Sequence, residues 1–208
     1  SADSLRFLGT STANSNNFTA GSIFKTIEFT ATDTTDSSAF DLVGNSVTLS
    51  AGTPVLTLAI TNGTITDKIS LDLSLSSGSP IITTGTAHNL NIAGVISGAA
   101  NSLTKAGAAT LTLSGVNTFS GKTVVSAGTL ELTEARALQN SPLDALTSIT
   151  GDAANGLKIT TTNLTLGGLR GSTTNALTPV RALASLFTTT SGGYASLTEL
   201  TLNNIANT

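Results

Sequence analysis

The chain has no cysteine, no methionine and no tryptophan, and only one tyrosine and one histidine. Without cysteine, neither a disulfide framework nor thiolate chemistry is available. Charged residues make up 10% of the 208, well below the roughly 25% of an ordinary soluble domain. Thr, Ser, Asn and Gly must therefore cover most of the surface. Nine Lys and Arg against twelve Asp and Glu leave a net charge of −3, with no basic run. That excludes the clustered cations a nucleic acid requires and a polybasic membrane anchor. No apolar run approaches the ~18 residues that span a bilayer, so no transmembrane segment is expected.

What the chain does have is alternation. Hydrophobic residues are 39% of the total and 39 residues are threonine, a β-branched type suited to strand faces. Leu111, Leu113, Val125, Leu130 and Leu132 alternate with Thr, Ser and Glu, the period-two pattern of half-buried strands. Gly107, Gly115, Gly121 and Gly128 punctuate that stretch, as corners of a coiling sheet would. Short strands are expected near 23–30, 40–43, 46–50, 55–60, 64–66, 69–75, 80–84, 88–96, 102–104, 109–113, 123–126, 129–133, 147–150, 156–160, 163–166 and 197–202. Residues 1–38 offer only one clear strand. Two segments, 134–146 and 175–187, contain helix-compatible sequence and read as short helical or loop excursions. Leu-Thr-Leu recurs at 56–58, 111–113, 164–166 and 200–202, the weak self-similarity of stacked repeats. The fold expected is all-β: a single β-solenoid over 1–208 with roughly 20–25 residues per coil. Inward Leu, Val, Ile and Phe should stack along the axis. Outward Thr and Ser should do the same, and Asn45, Asn62, Asn101 and Asn117 should bond to one another at corners.

The stretch 95–132 resembles the passenger-associated strand repeat of bacterial autotransporters. Leu103-Thr104-Lys105 opens the motif, and Gly107 with Thr110-Leu111-Thr112-Leu113 carries it on. Gly115, Asn117-Thr118, Phe119, Gly121 and Thr123 form its middle, and Val124-Val125, Gly128-Thr129-Leu130 and Leu132 close it. Ala109 stands where the family usually has a second glycine, and Phe119 where tyrosine is commoner. The resemblance implies a right-handed parallel β-helix in a secreted or surface-exposed bacterial protein. It also implies that this chain is a section of a longer repeat protein.

The chemical motifs are weak by comparison. Gly115 to Thr123 imitates a phosphate-binding loop, but five residues separate its glycines instead of four. A strand follows where that loop needs a helix N-terminus. His88 has no carboxylate within ten residues in sequence, so it reads as a surface or corner histidine. Asp33, Asp36, Asp41, Asp67 and Asp72 lack the spacing of a calcium loop. Asp67 and Asp72 should point to different faces and cannot serve as the paired carboxylates of a glycan-cleaving enzyme. No cofactor, no metal and no enzymatic activity are expected. The thread of Thr-x-Thr pairs is too irregular for an ice-binding array. The function expected is structural: a stalk, passenger or self-associating fibre subunit stacking end to end with neighbouring copies. The alternative is an adhesin-type module that grips a glycan or host surface through one β-face or through 134–146 and 175–187.

Overall fold

In the computed structural model, residues 3–8, 13–30, 39–50, 56–58, 65–76, 80–85, 88–144, 156–170 and 197–203 are described. Every assigned element among them is a strand, and every pairing is parallel. In chain order these are β1 (Asp3–Leu8), β2 (Ala13–Asn16), β3 (Ser22–Thr30), β4 (Asp41–Gly44), β5 (Val47–Leu49) and β6 (Leu56–Leu58). Next come β7 (Thr66–Ile69), β8 (Leu73–Leu75), β9 (Ile81–Thr83), β10 (Asn89–Ile92), β11 (Ile96–Ser97) and β12 (Leu103–Ala106). The rest are β13 (Thr110–Leu113), β14 (Thr123–Val125), β15 (Thr129–Leu132), β16 (Leu138–Asp144), β17 (Gly156–Ile159), β18 (Asn163–Arg170) and β19 (Glu199–Leu202).

Consecutive strands are not neighbours in the smaller sheet, which runs β17-β15-β13-β10-β7-β4-β2; the other sheet has twelve strands. Parallel neighbours separated by a full circuit of chain are what a solenoid produces, so the chain is a β-solenoid. The larger sheet folds over two faces. β3 shows how: its first half pairs with β5 and its second half with β6. Each coil therefore has three faces and three corners.

The register gives the circuit of each coil directly. Asn14 pairs with Leu42, and Leu42 with Ile69. Ile69 then pairs with Ile92, Ile92 with Leu113, Leu113 with Leu132, and Leu132 with Ile159. The circuits are long at the N-terminal end, shorten steadily into the middle of the chain, and lengthen again after β15. The spread is wider than the expected range, and the tightest coil lies between β13 and β15.

Inward columns follow this register. Leu42, Ile69, Ile92, Leu113, Leu132 and Ile159 form one, all buried. Such columns remove apolar area from water only because each coil covers the last. At the wide N-terminal coils, Phe7 stacks on its register partner Phe29 with centroids 5.3 Å apart, and Phe40 packs tilted against Phe29 at 5.2 Å.

Several expectations need correction. Of the expected helical or loop excursion at 134–146, the described part, 134–144, is not helical. Glu134–Ala137 make a turn closed by the Ala137 N–H to the Glu134 carbonyl, and β16 follows as part of the larger sheet. Burial of Ala137, Leu138 and Leu143 overrides a local helix propensity worth only tenths of a kcal/mol per residue. The single strands expected at 69–75 and 88–96 are each broken by a corner, at 70–72 and 93–95. Beyond the one strand expected in 1–38, β1 and β2 are also present. Asn45, Asn101 and Asn117 bond to backbone of adjacent coils and not to one another. Asn62, 147–150 and 175–187 lie outside the described residues.

Candidate functional site

The densest set of buried polar contacts surrounds Lys105. It stands in an inward column where its register partners are Ile82 on one side and Val125 on the other. An aliphatic residue is expected there. The four-carbon stem fills that place, and Lys105 is fully buried. Its ammonium emerges at the corner after β12 and donates to three carbonyls: Gly107 at 2.7 Å, Ala106 at 2.9 Å and Ala127 at 2.9 Å. Ala106 and Gly107 belong to its own coil and Ala127 to the next. Burial lowers the Lys105 pKa from 10.5 to about 8, and the three acceptors hold the remaining charge at neutral pH.

The same corner carries Gly107 and Gly128, with φ of 80° and 66°. A Cβ on Gly107 would overlap the Thr84 carbonyl oxygen one coil below, and a Cβ on Gly128 would overlap the Gly107 carbonyl oxygen. Both glycines are required twice, by left-handed backbone and by the closeness of the coils. Thr84, itself buried, donates from Oγ1 to the Ala109 carbonyl at 2.9 Å.

The other two corners repeat this construction. Gly115 lies against Ala93 and Gly94 of the coil below, and Gly121 against Asn101 and Ser102. Asn117, buried, accepts the Ile96 N–H at 2.8 Å and donates to the Ala137 carbonyl at 3.0 Å, joining three successive coils. Phe119 fills the core beside it, and Leu103, Leu111, Leu113, Leu130 and Leu132 complete the inward columns. Thr123 also points inward, where its hydroxyl meets that of Ser141 at 2.7 Å. The expected structural residues thus fall into three roles: corner glycines, inward apolar residues, and two buried polar bridges, Lys105 and Asn117.

Residues 103–132 match the family model of the passenger-associated-transport-repeat. No curated protein and no solved structure matches the chain. The matched stretch starts on the face of β12, passes all three corners, returns to the first at Gly128, and ends on β15, one coil above β13, about one and a half circuits in all.

A second buried polar group lies outside the passenger-associated-transport-repeat and corrects an expectation. His88 is 1% exposed, not a surface residue. Its Nδ1 lies 3.1 Å from Asp67 Oδ2, and Asp67 Oδ1 accepts the Phe40 N–H at 2.9 Å. Asp67 is in register with Leu90, at the start of the inward column Leu90, Leu111, Leu130, Leu157. One coil of chain separates His88 from Asp67, so a search among near sequence neighbours misses the pair. His88 Nε2 is buried with no hydrogen-bond partner among the described residues. A ring so enclosed cannot act on a solvent-borne substrate. Asp72 faces outward and accepts the Val95 N–H at 2.8 Å, so Asp67 and Asp72 do lie on opposite faces.

Proposed function

We propose that this chain is a rod segment of the passenger of a bacterial autotransporter-type protein, presented at the cell surface or secreted. The chain acts mechanically. Parallel backbone ladders and buried columns give stiffness along the axis, and the Lys105 and Asn117 bridges tie the coils of the matched stretch to their neighbours. The observation that carries the reading is that the matched repeat winds through about one and a half circuits of the solenoid, with its corner glycines set against the coil below. The rod reading extends to the end coils, whose ladders would continue into flanking sequence or another copy stacked end to end. The same reading makes the chain a structural element and not an enzyme. Glycan gripping through loops has less support, because residues 138–144 of the first of its two segments are built into the sheet as β16.

Antibody raised against the chain tests the assignment on the source bacterium. Labelling of intact cells or of culture supernatant is the expected result. Labelling that appears only after permeabilisation would sink it. Electron micrographs of the purified chain should show short rods.

A further inference from the structure

The outer surface of the seven-stranded sheet carries one column that mixes charges. In register order it reads Asp41, Lys68, Asn91, Thr112, Glu131, Lys158. The signs run minus, plus, neutral, neutral, minus, plus. Reversing the order exchanges every charge for its opposite. We propose that this face is a lateral interface with a second copy of the chain, the two rods lying side by side and antiparallel.

A two-fold axis between Asn91 and Thr112 places Asp41 opposite Lys158 of the other copy and Lys68 opposite Glu131. Asn91 then faces Thr112, a hydrogen-bonding pair. Such a self-complementary patch is what an isologous dimer needs. The column also rejects the alternatives. Parallel rods related by a two-fold axis would set Asp41 on Asp41 and Lys68 on Lys68. An antiparallel slip of one coil sets Asp41 on Glu131, or Lys68 on Lys158. Like charges face each other in each of these arrangements, so the pattern selects orientation and register together.

Local geometry permits the contact. The flanking column Thr66, Asn89, Thr110, Thr129 is uncharged, as are Ser70, Ala93 and Ser114 on the other side. Two such faces can approach without burying an unpaired charge. Lys68 is exposed and makes no ion pair among the described residues. Glu131 already takes Lys158 at 2.7 Å and Thr112 at 3.2 Å, and a carboxylate has lone pairs left for another ammonium. The contact is polar and weak, and salt should dissolve it. It differs from end-to-end stacking, which uses backbone edges and not this face.

Sedimentation velocity on the whole chain over a concentration series tests the proposal. A dimer is expected at low salt and a monomer in molar salt. Lys68→Glu and Glu131→Lys should each be monomeric at low salt, and an equimolar mixture should dimerise again, because each swapped charge then meets its opposite. Circular dichroism checks that both variants keep their strands. The chain has no cysteine, so Asn91→Cys and Thr112→Cys supply unique thiols. Disulfide formation should be faster in the mixture of the two than in either alone. A wild-type monomer at low salt, a Lys68→Glu dimer, a mixture that stays monomeric, or no preference in cross-linking would each overturn the proposal. None of these readouts depends on where the protein resides in the cell.

Discussion

The long coils near the N-terminus and the short coils in the matched repeat solve the same problem differently. A longer circuit encloses a wider interior. The N-terminal coils fill theirs with rings: Phe7, Phe29 and Phe40 form one cluster, and Phe24 is buried as well. Shorter circuits have room for little more than Leu, Val and Ile, and the only phenylalanine in the matched stretch is Phe119. The tight coils face the opposite difficulty, at the corners. Backbone there runs so close to backbone that Gly107, Gly115, Gly121 and Gly128 have no space for a methyl group. Corner clearance also binds in the wide coils, where a Cβ on Gly44 would overlap the Asn16 carbonyl oxygen, but the matched stretch gathers four such glycines. The repeat is recognisable because corner clearance constrains residue identity more strictly than volume does.

Gly107→Ala is expected to break the narrow region most severely. The new Cβ meets a fixed carbonyl of the coil below, and the residue keeps a left-handed φ. A loss of more than about 4 kcal/mol is expected, in the rare class of very damaging single changes. Urea unfolding followed by circular dichroism measures it. A loss under about 1 kcal/mol, no more than an average substitution costs, would show that the coils can part at this corner.

His88→Leu probes the wide side of the boundary. It takes the ring nitrogen away from Asp67 Oδ2, a fully buried carboxyl oxygen, at a cost of about 3 kcal/mol. Adding Asp67→Asn should recover at least half, because the Phe40 N–H keeps an acceptor and an amide costs less to bury than a carboxylate. If the double variant is no better than the single one, the pair holds the coils by shape and not by charge.

Lys105→Met keeps an unbranched stem in the column but removes the donor from three buried carbonyls. About 2 kcal/mol should be lost at neutral pH. The pH dependence is a sharper test. The folded pKa of about 8 lies below the unfolded 10.5, so between those values the unfolded state binds more protons. Stability contributed through Lys105 then rises with pH across that window. Wild type should gain on Lys105→Met between pH 8 and 10.5. A gap that stays flat would mean that the ammonium is better solvated than its burial implies.

How much of this was legible in the residues depends on the distance over which each signal acts. Alternation in 109–113 and 129–133 is local and marked β13 and β15 to within a residue or two. Gly107 and Gly128 marked corners because glycine is demanded by local backbone as well as by contact, and Gly115 and Gly121 by contact alone. Residues 134–144 misled, because Glu134, Ala135, Ala137, Leu138 and Gln139 favour helix locally while the burial that makes 138–144 a strand comes from the coils on either side. The same blindness hid the His88–Asp67 pair. Lys105 was recognisable as a motif residue, but nothing local says that a lysine replaces an aliphatic residue in a core column. That role exists only once Ala127, in the next coil, is placed beside it.

The smallest expected effect isolates the idea behind the comparison. Gly21 has φ of 81° and Gly107 of 80°, so their backbone strain on substitution is the same. Around Gly21, in a wide coil, a Cβ would have no heavy atom within 4 Å. Gly21→Ala should therefore cost only the left-handed penalty, about 1 kcal/mol. Subtracting that loss from the Gly107→Ala loss leaves the cost of forcing two coils apart, free of any backbone term. A remainder of several kcal/mol would make corner clearance the constraint that defines the repeat. A remainder near zero would return that role to φ alone, and the tight coils would then differ from the wide ones only in how their interiors are filled.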